Sequence, residues 1–172
     1  MRAVATSLLA LAALLPIATA VPGPSSFTGY GQLRALYNKG DHEDLGCLTS
    51  DGKWTVDEDR CGIFLSDRIN DSQQFRLYGV GAGQCGIDVA TFKCNTEIKT
   101  TVFGTWGLPG PIPGHELLRY SQYGVFATDA QYSPPEPGDE PLAIHLYSGR
   151  EKGKWAWLEW RHVPHPFAIN EQ

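Results

Sequence analysis

LGCLTSDGKWTVDEDRCGIF, residues 45–64, and GQCGIDVATFKC, residues 83–94, contain all four cysteines of the chain. In each stretch two cysteines flank short apolar segments separated by turn-forming residues. Ser50, Asp51 and Gly52 make the first reversal, because Asp-Gly tolerates the positive φ that a tight hairpin needs. Four cysteines allow three pairings. The sequence-local one, Cys47 with Cys61 and Cys85 with Cys94, is preferred because each interval reads as strand, turn and strand. Closing loops this short stabilises by about 3 kcal/mol each in the chain-entropy model. A zinc site calls for closely spaced ligand pairs, and no Cys-x-x-Cys occurs, so the cysteines read as structural staples.

Outward from these stretches, extended signals recur at short intervals: 47–49, 53–56, 62–66, 75–80, 86–92, 100–106, 116–120, 124–128, 142–147 and 155–163. Many short strands at even spacing predict an all-β fold, a small disulfide-stapled barrel or sandwich of short antiparallel strands. Helix has little support, because no window of a dozen residues keeps apolar positions at three-to-four spacing without a Gly, Pro or β-branched interruption. Residues 79–83 predict another reversal. Upstream, residues 21–44 are rich in Gly, Ser and turn formers, with an apolar pattern at Leu33, Leu36 and Tyr37 that suits one helical turn or a short strand. The proline-rich stretches 107–114 and 133–141 are expected to be surface loops rather than linkers. Only about thirty residues follow the second, too few for an independent domain.

The chain opens with MRAVATSLLALAALLPIATA, residues 1–20. One positive residue, Arg2, an apolar run and the small-residue pattern Ala18-Thr19-Ala20 predict a signal peptide cleaved after Ala20. Its apolar run falls short of the roughly 20 residues that span a bilayer, and no second such run follows, so no membrane span is expected. Residues 21–172 are then a single secreted domain, and export supports oxidised cysteines. The sequon Asn70-Asp71-Ser72, in a polar turn, makes Asn70 the expected glycosylation site. The formal net charge is −5, with 19% charged and 11% aromatic residues. Such a chain packs rather than remaining disordered, and its acidity disfavours nucleic acid as a partner.

Five histidines, His42, His115, His145, His162 and His165, have no helical zinc spacing. No serine stands in a Gly-x-Ser-x-Gly setting, so nucleophilic catalysis has no evident agent. Asp41, Glu43 and Asp44, and again Asp57, Glu58 and Asp59, lack the alternating ligand spacing of a calcium loop and read as solvated turns. The expectation is therefore no metal, no cofactor and no catalytic residue. The most distinctive run is KWAWLEWRHV, residues 154–163. In a strand, Trp155 and Trp157 share a face with Glu159, while Leu158 and Trp160 share the other. If one face packs inward, the other offers indoles to solvent or to a covering loop. Trp155, Trp157 and Trp160 are therefore the candidate ligand-binding residues, with Arg161 beside them and core packing as the competing reading.

Residues 45–64 and 83–94 together resemble the C-terminal module appended to fungal ribonuclease T2 enzymes. The likeness rests on Gly46, Cys47, Leu48, Gly52, Lys53, Trp54, Cys61, Phe64, Cys85 and Cys94. It covers about fifty residues well and the C-terminal third only loosely, through an aromatic closing strand. In the enzymes of that family a preceding catalytic domain supplies histidines in His-Gly-Leu-Trp and Lys-His-Gly motifs. Neither motif occurs in this sequence, and the residues before the module are expected to be too few for such a domain. The resemblance thus implies the accessory module without ribonuclease activity. The leading expectation is a secreted, non-catalytic module that binds a cell-wall polysaccharide or a protein partner. The alternatives are a small secreted hydrolase with an unrecognised carboxylate or histidine site, and a secreted effector or structural protein.

Overall fold

The structure is a computed structural model that describes residues 27–70, 73–106, 109–128, 134–147 and 155–164. The leader at 1–20, Asp71 and Ser72 of the sequon, and His165 lie outside the described residues. Twelve strands and one short 3-10 turn at Glu58–Arg60 are present among them: β1 (Gly29–Tyr37), β2 (Asp44–Leu48), β3 (Trp54–Thr55), β4 (Phe64–Arg68), β5 (Gln74–Gly79), β6 (Gly83–Asp88), β7 (Thr91–Asn95), β8 (Phe103–Thr105), β9 (Leu118–Arg119), β10 (Val125–Thr128), β11 (Ile144–Leu146) and β12 (Ala156–His162). All pairings are antiparallel, as expected from strands joined by short reversals.

The pairings close into a ring that runs β1, β12, β10, β11, β7, β6, β5, β4 and back to β1. Strands β2 and β3 extend it beside β1, and β8 and β9 extend it beside β5. Alternation along each strand sends one set of side chains inward. Leu33 and Ala35 of β1, Phe75 and Leu77 of β5, and Ala156, Leu158 and Trp160 of β12 all join one buried cluster. Within it the aromatic rings form a file: Trp160 on Phe27 at 5.0 Å between centroids, Phe27 on Phe75 at 4.5 Å, Phe75 on Phe103 at 6.4 Å, Phe103 against Phe92 at 5.8 Å, and Phe92 edge-on to Phe126 at 6.2 Å. Offset and edge-on pairs like these contribute about 0.5–1.5 kcal/mol each beyond the area they bury.

Two staples lock neighbouring strands. Cys47–Cys61 ties β2 to the segment before β4, and Cys85–Cys94 joins directly opposed residues of β6 and β7. These are the sequence-local pairs. The Ser50–Gly52 reversal also forms, the Gly52 amide donating to the Thr49 carbonyl at 2.8 Å.

Three expectations need correction. Residues 86–92 are not one strand: the chain turns back at Val89 and Ala90, whose φ values are 44° and 68°. A two-residue hairpin turn takes positive φ at both positions to match strand twist, and it normally recruits Asn or Gly. Here the opposed pair Asp88 and Thr91 and the Cys85–Cys94 bridge impose it on Val-Ala. Of the two readings for Leu33, Leu36 and Tyr37 the strand holds and the helical turn does not, and the strand is longer than expected, the nine-residue β1. The stretch 107–114 is not wholly a surface loop, because Ile112 is 2% exposed and packs with Leu36 and Leu117 on the outside of the sheet.

Replacing both Cys47 and Cys61 by serine is expected to lower stability by about 3 kcal/mol, for a bridge spanning 14 residues. Urea unfolding of the two proteins, with circular dichroism to verify retained strand, measures it. A loss below about 1 kcal/mol would mean that the aromatic packing alone fixes this corner.

Candidate functional site

The tryptophan-rich strand does not present its indoles as one row. Alternation along β12 puts Trp160, 4% exposed, into the core against Phe27. Trp155 and Trp157 point to the other side and are half-buried. Trp155 packs on Tyr147 at 5.0 Å, and Trp157 meets Trp106 edge-on at 6.0 Å. Trp157, Trp106, Leu36, Ile112 and Leu117 thus make a small second apolar cluster on the outer face. Gly124 permits it: a Cβ there would lie 2.5 Å from Trp106 Nε1 and 2.8 Å from the Trp157 ring.

To one side of this cluster lies a strip of charge. Arg34 of β1 faces outward, opposite Glu159 of β12, yet its side chain is only 6% exposed. Its guanidinium donates to both Asp44 oxygens at 3.0 and 3.1 Å and to both Glu58 oxygens at 2.6 and 2.7 Å, and it touches Cys61 Sγ at 3.3 Å. One carboxylate from each of the two acidic clusters, Asp44 and Glu58, thus converges on one arginine. Arg161 extends the strip, donating to Asp44 at 3.1 Å and Glu159 at 3.2 Å, and His115 Nδ1 donates to the other Glu159 oxygen at 2.6 Å. The hydrogen bond to Glu58 holds Arg34 protonated far above any working pH, against its own burial. The same bond lowers the Glu58 carboxyl below its usual range.

The other described histidines do not gather. His42 Nδ1 donates to the Tyr37 carbonyl at 3.1 Å, His145 pairs with Thr91 at 2.8 Å, and His162 is exposed beside Trp160. Asn70 is exposed in the turn after β4. Among the described residues no three His, Cys, Asp or Glu side chains converge as a metal site.

On the far side of Trp106 is a cleft of about 480 Å³, within the range of small-molecule sites, roughly 300–1,000 Å³. Its construction follows from strand register. Gln74 of β5, Gly104 of β8 and Arg119 of β9 are successive cross-strand partners, so they form one row on the outer face. Their neighbours Phe75, Phe103 and Leu118 point into the core. Gly104 is the trough of the row, since a Cβ there would stand 3.3 Å from Arg119 Nη2 and 3.6 Å from Nε. The guanidinium crosses this gap to lie over the Trp106 ring, 5.6 Å from its centroid. Ser121 and Gln122, in the turn between Tyr120 and Tyr123, add polar groups to the rim, and exposed Val102, next to Phe103, adds an apolar side. Sequence reading missed this site. Trp106 fell within a strand signal and Arg119 within another, and nothing in their spacing tells that β8 and β9 pair.

A disulfide-stapled all-β domain with a compact outward-facing polar cleft is the class of protein that fold and site define. Residues 25–136 match the RNase T2-like C-terminal domain family, and the chain belongs to that family. The matched segment carries both disulfides and every residue of the cleft, while β11 and β12 lie beyond it. No curated protein and no solved structure matches the chain.

Replacing Arg34 by methionine is expected to cost about 2 kcal/mol at pH 7, less than for a fully buried pair because Asp44 and Glu58 keep access to water. Glu58 has a folded-state pKa below its unfolded value, so its contribution is complete above about pH 5 and is lost as pH falls through the folded value. Urea unfolding from pH 7 to pH 2 should therefore show the wild-type and Arg34→Met curves converging as the solution is acidified. A gap that is constant with pH would disprove the role of the charge pairs.

Proposed function

We propose that the chain is a secreted, non-catalytic binding module, that its ligand surface is the Trp106–Arg119 cleft, and that its ligand is a cell-wall polysaccharide. The observation that carries this reading is the cleft: a concave polar site set on strands whose opposite face is core, and hence rigidly held. Gln74, Ser121 and Gln122 supply hydroxyl and amide groups of the kind that bond sugar hydroxyls, and Arg119 supplies fixed donors. No carboxylate or imidazole lines the cleft among the described residues, so it contains no group suited to proton transfer near neutral pH.

Export is supported by the leader at residues 1–20, read as a cleaved signal peptide, and by two disulfides, which persist in oxidising compartments. Among the described residues no helix is long and apolar enough to cross a membrane. Residues 21–172 then act as one domain, and exposed Asn70 suits glycan attachment at its sequon.

A small hydrolase is the second reading, favoured by the hydrogen-bonded His115 and Glu159. It is the weaker one. Arg161 engages Glu159, and Arg34 engages Asp44 and Glu58, which holds these carboxylates as struts between strands.

Incubation with insoluble chitin, β-glucan, cellulose and cross-linked pectate is expected to retain the protein on at least one polymer, and Trp106→Ala is expected to reduce that retention about tenfold or more. Retention on none of the four would remove the polysaccharide reading. Release of product from any of them by the pure protein would replace it with the hydrolase.

A further inference from the structure

We propose that the ligand of the cleft is an anionic polysaccharide, held by a carboxylate or phosphate group on the sugar that pairs with the Arg119 guanidinium. This rests on the cleft being the polysaccharide site and assigns the chemistry it selects.

The argument begins with the company each cation keeps. Arg34, Lys53, Arg60, Lys93 and Arg161 each stand within 4.0 Å of at least one carboxylate. Lys39, Arg76, Lys99 and Arg119 have no such pair among the described residues, and of these four Arg119 is the one that lines the cleft. Among the described residues its guanidinium lies over the face of Trp106, and its Nε is shielded from solvent without an acceptor there. A shielded guanidinium nitrogen left unbonded is costly unless something in the working state accepts from it. The indole below favours a cation electrostatically, and the missing side chain of Gly104 leaves the guanidinium room above the strand. The fork is thus arranged before a ligand arrives, and a planar fork matches the two oxygens of a carboxylate or phosphate.

Neutral sugars would be recognised differently. They stack their apolar ring faces on an exposed aromatic platform. In this cleft Arg119 lies over Trp106, and Trp157 meets it edge-on. The indole therefore serves to support the cation rather than to receive a sugar. Among the described residues no acidic side chain lines the cleft to repel an anion or to compete for Arg119. The chain as a whole carries a net charge of −5, so attraction of a polyanion by the whole surface is absent and binding depends on this one local site. A single arginine decides it.

The test is affinity electrophoresis of the full secreted chain in gels containing polygalacturonate, phosphomannan, the neutral glucan laminarin or polyuridylate, at low and high salt. Polygalacturonate or phosphomannan is expected to retard the protein, whichever is stronger identifying carboxylate or phosphate as the group bound. Arg119→Gln is expected to weaken this by about tenfold or more, and Arg119→Lys by less, since it keeps the charge and loses the fork. Gly104→Ala, which keeps Arg119 but raises the floor of the trough, should weaken it about threefold. Lys99→Gln, an exposed cation away from the cleft, should change it by less than about twofold, and salt should weaken the wild type. Thermal unfolding verifies that each variant is folded. Laminarin binding as strong as that of the acidic polymers and unchanged in Arg119→Gln would overturn the anion assignment while leaving the polysaccharide reading intact. Preference for polyuridylate over both acidic polysaccharides would overturn it in favour of nucleic acid. Retardation by none of the polymers would remove the polysaccharide reading itself.

Discussion

Closure of the strand ring depends on a contact between residues from opposite ends of the described chain. Phe27 precedes β1, Trp160 lies in β12, and their rings stack inside the ring of strands. From that pair the aromatic file runs on through Phe75, Phe103, Phe92 and Phe126. Every member comes from a different segment, so no single hairpin can bury its own aromatic residue. The disulfides work on another scale, spanning 14 and 9 residues, and they brace local reversals rather than closing the ring. Stability is therefore divided: sulfur bridges shape the pieces, and non-local aromatic packing makes them one body. A topology of this kind has high contact order, and a staple that pre-forms β6 with β7 reduces the entropy that ring closure must overcome.

This division also accounts for what could be read from the sequence. The all-β class, the local cysteine pairs, the Ser50–Gly52 reversal and the near absence of helix are written in short-range patterns, and the structure displays each of them. Membership of the RNase T2-like C-terminal domain family was likewise visible in the residues around those cysteines. What escaped depends on partners distant in sequence. Leu33, Leu36 and Tyr37 suggested either a helical turn or a short strand because β1 is buried on both faces, which erases simple alternation. The core covers one face, and the Asp44 and Glu58 carboxylates on Arg34 and Ile112 on Leu36 cover the other. The Val89–Ala90 turn carries no glycine signal, since the opposed cysteines enforce it. Arg34 carried no sequence signal, because the carboxylates it binds lie 10 and 24 residues away.

Two kinds of arginine environment coexist on the outer face, and the contrast is informative. Arg34 has both edges of its guanidinium filled by Asp44 and Glu58, and Arg161 carries the strip on to Glu159 and His115. Such a closed set of charge-assisted bonds fixes β1, β2 and β12 relative to one another and leaves little capacity for a ligand. Arg119 has the opposite character, being oriented by an aromatic face and a neighbouring glycine while its bonding capacity stays unspent. Saturated charge suits architecture, and unsaturated charge on a rigid support suits recognition.

The tryptophan-rich strand joins these regions in a way its sequence did not suggest. Trp160 serves the core and Trp157 serves the outer cluster, and neither offers a stacking platform. Trp157 instead buttresses Trp106 edge-on over Gly124, and Trp106 in turn carries the Arg119 guanidinium. The strand that looked most like a binding surface thus reaches the cleft from behind, through one indole. Enlarging Gly124 would press on Trp106, and truncating Trp157 would remove its edge-on support, so both act on Arg119 through that indole. The geometry of the site is consequently tied to ring closure, because β12 holds Trp157 on one face only while Trp160 on the other remains stacked on Phe27.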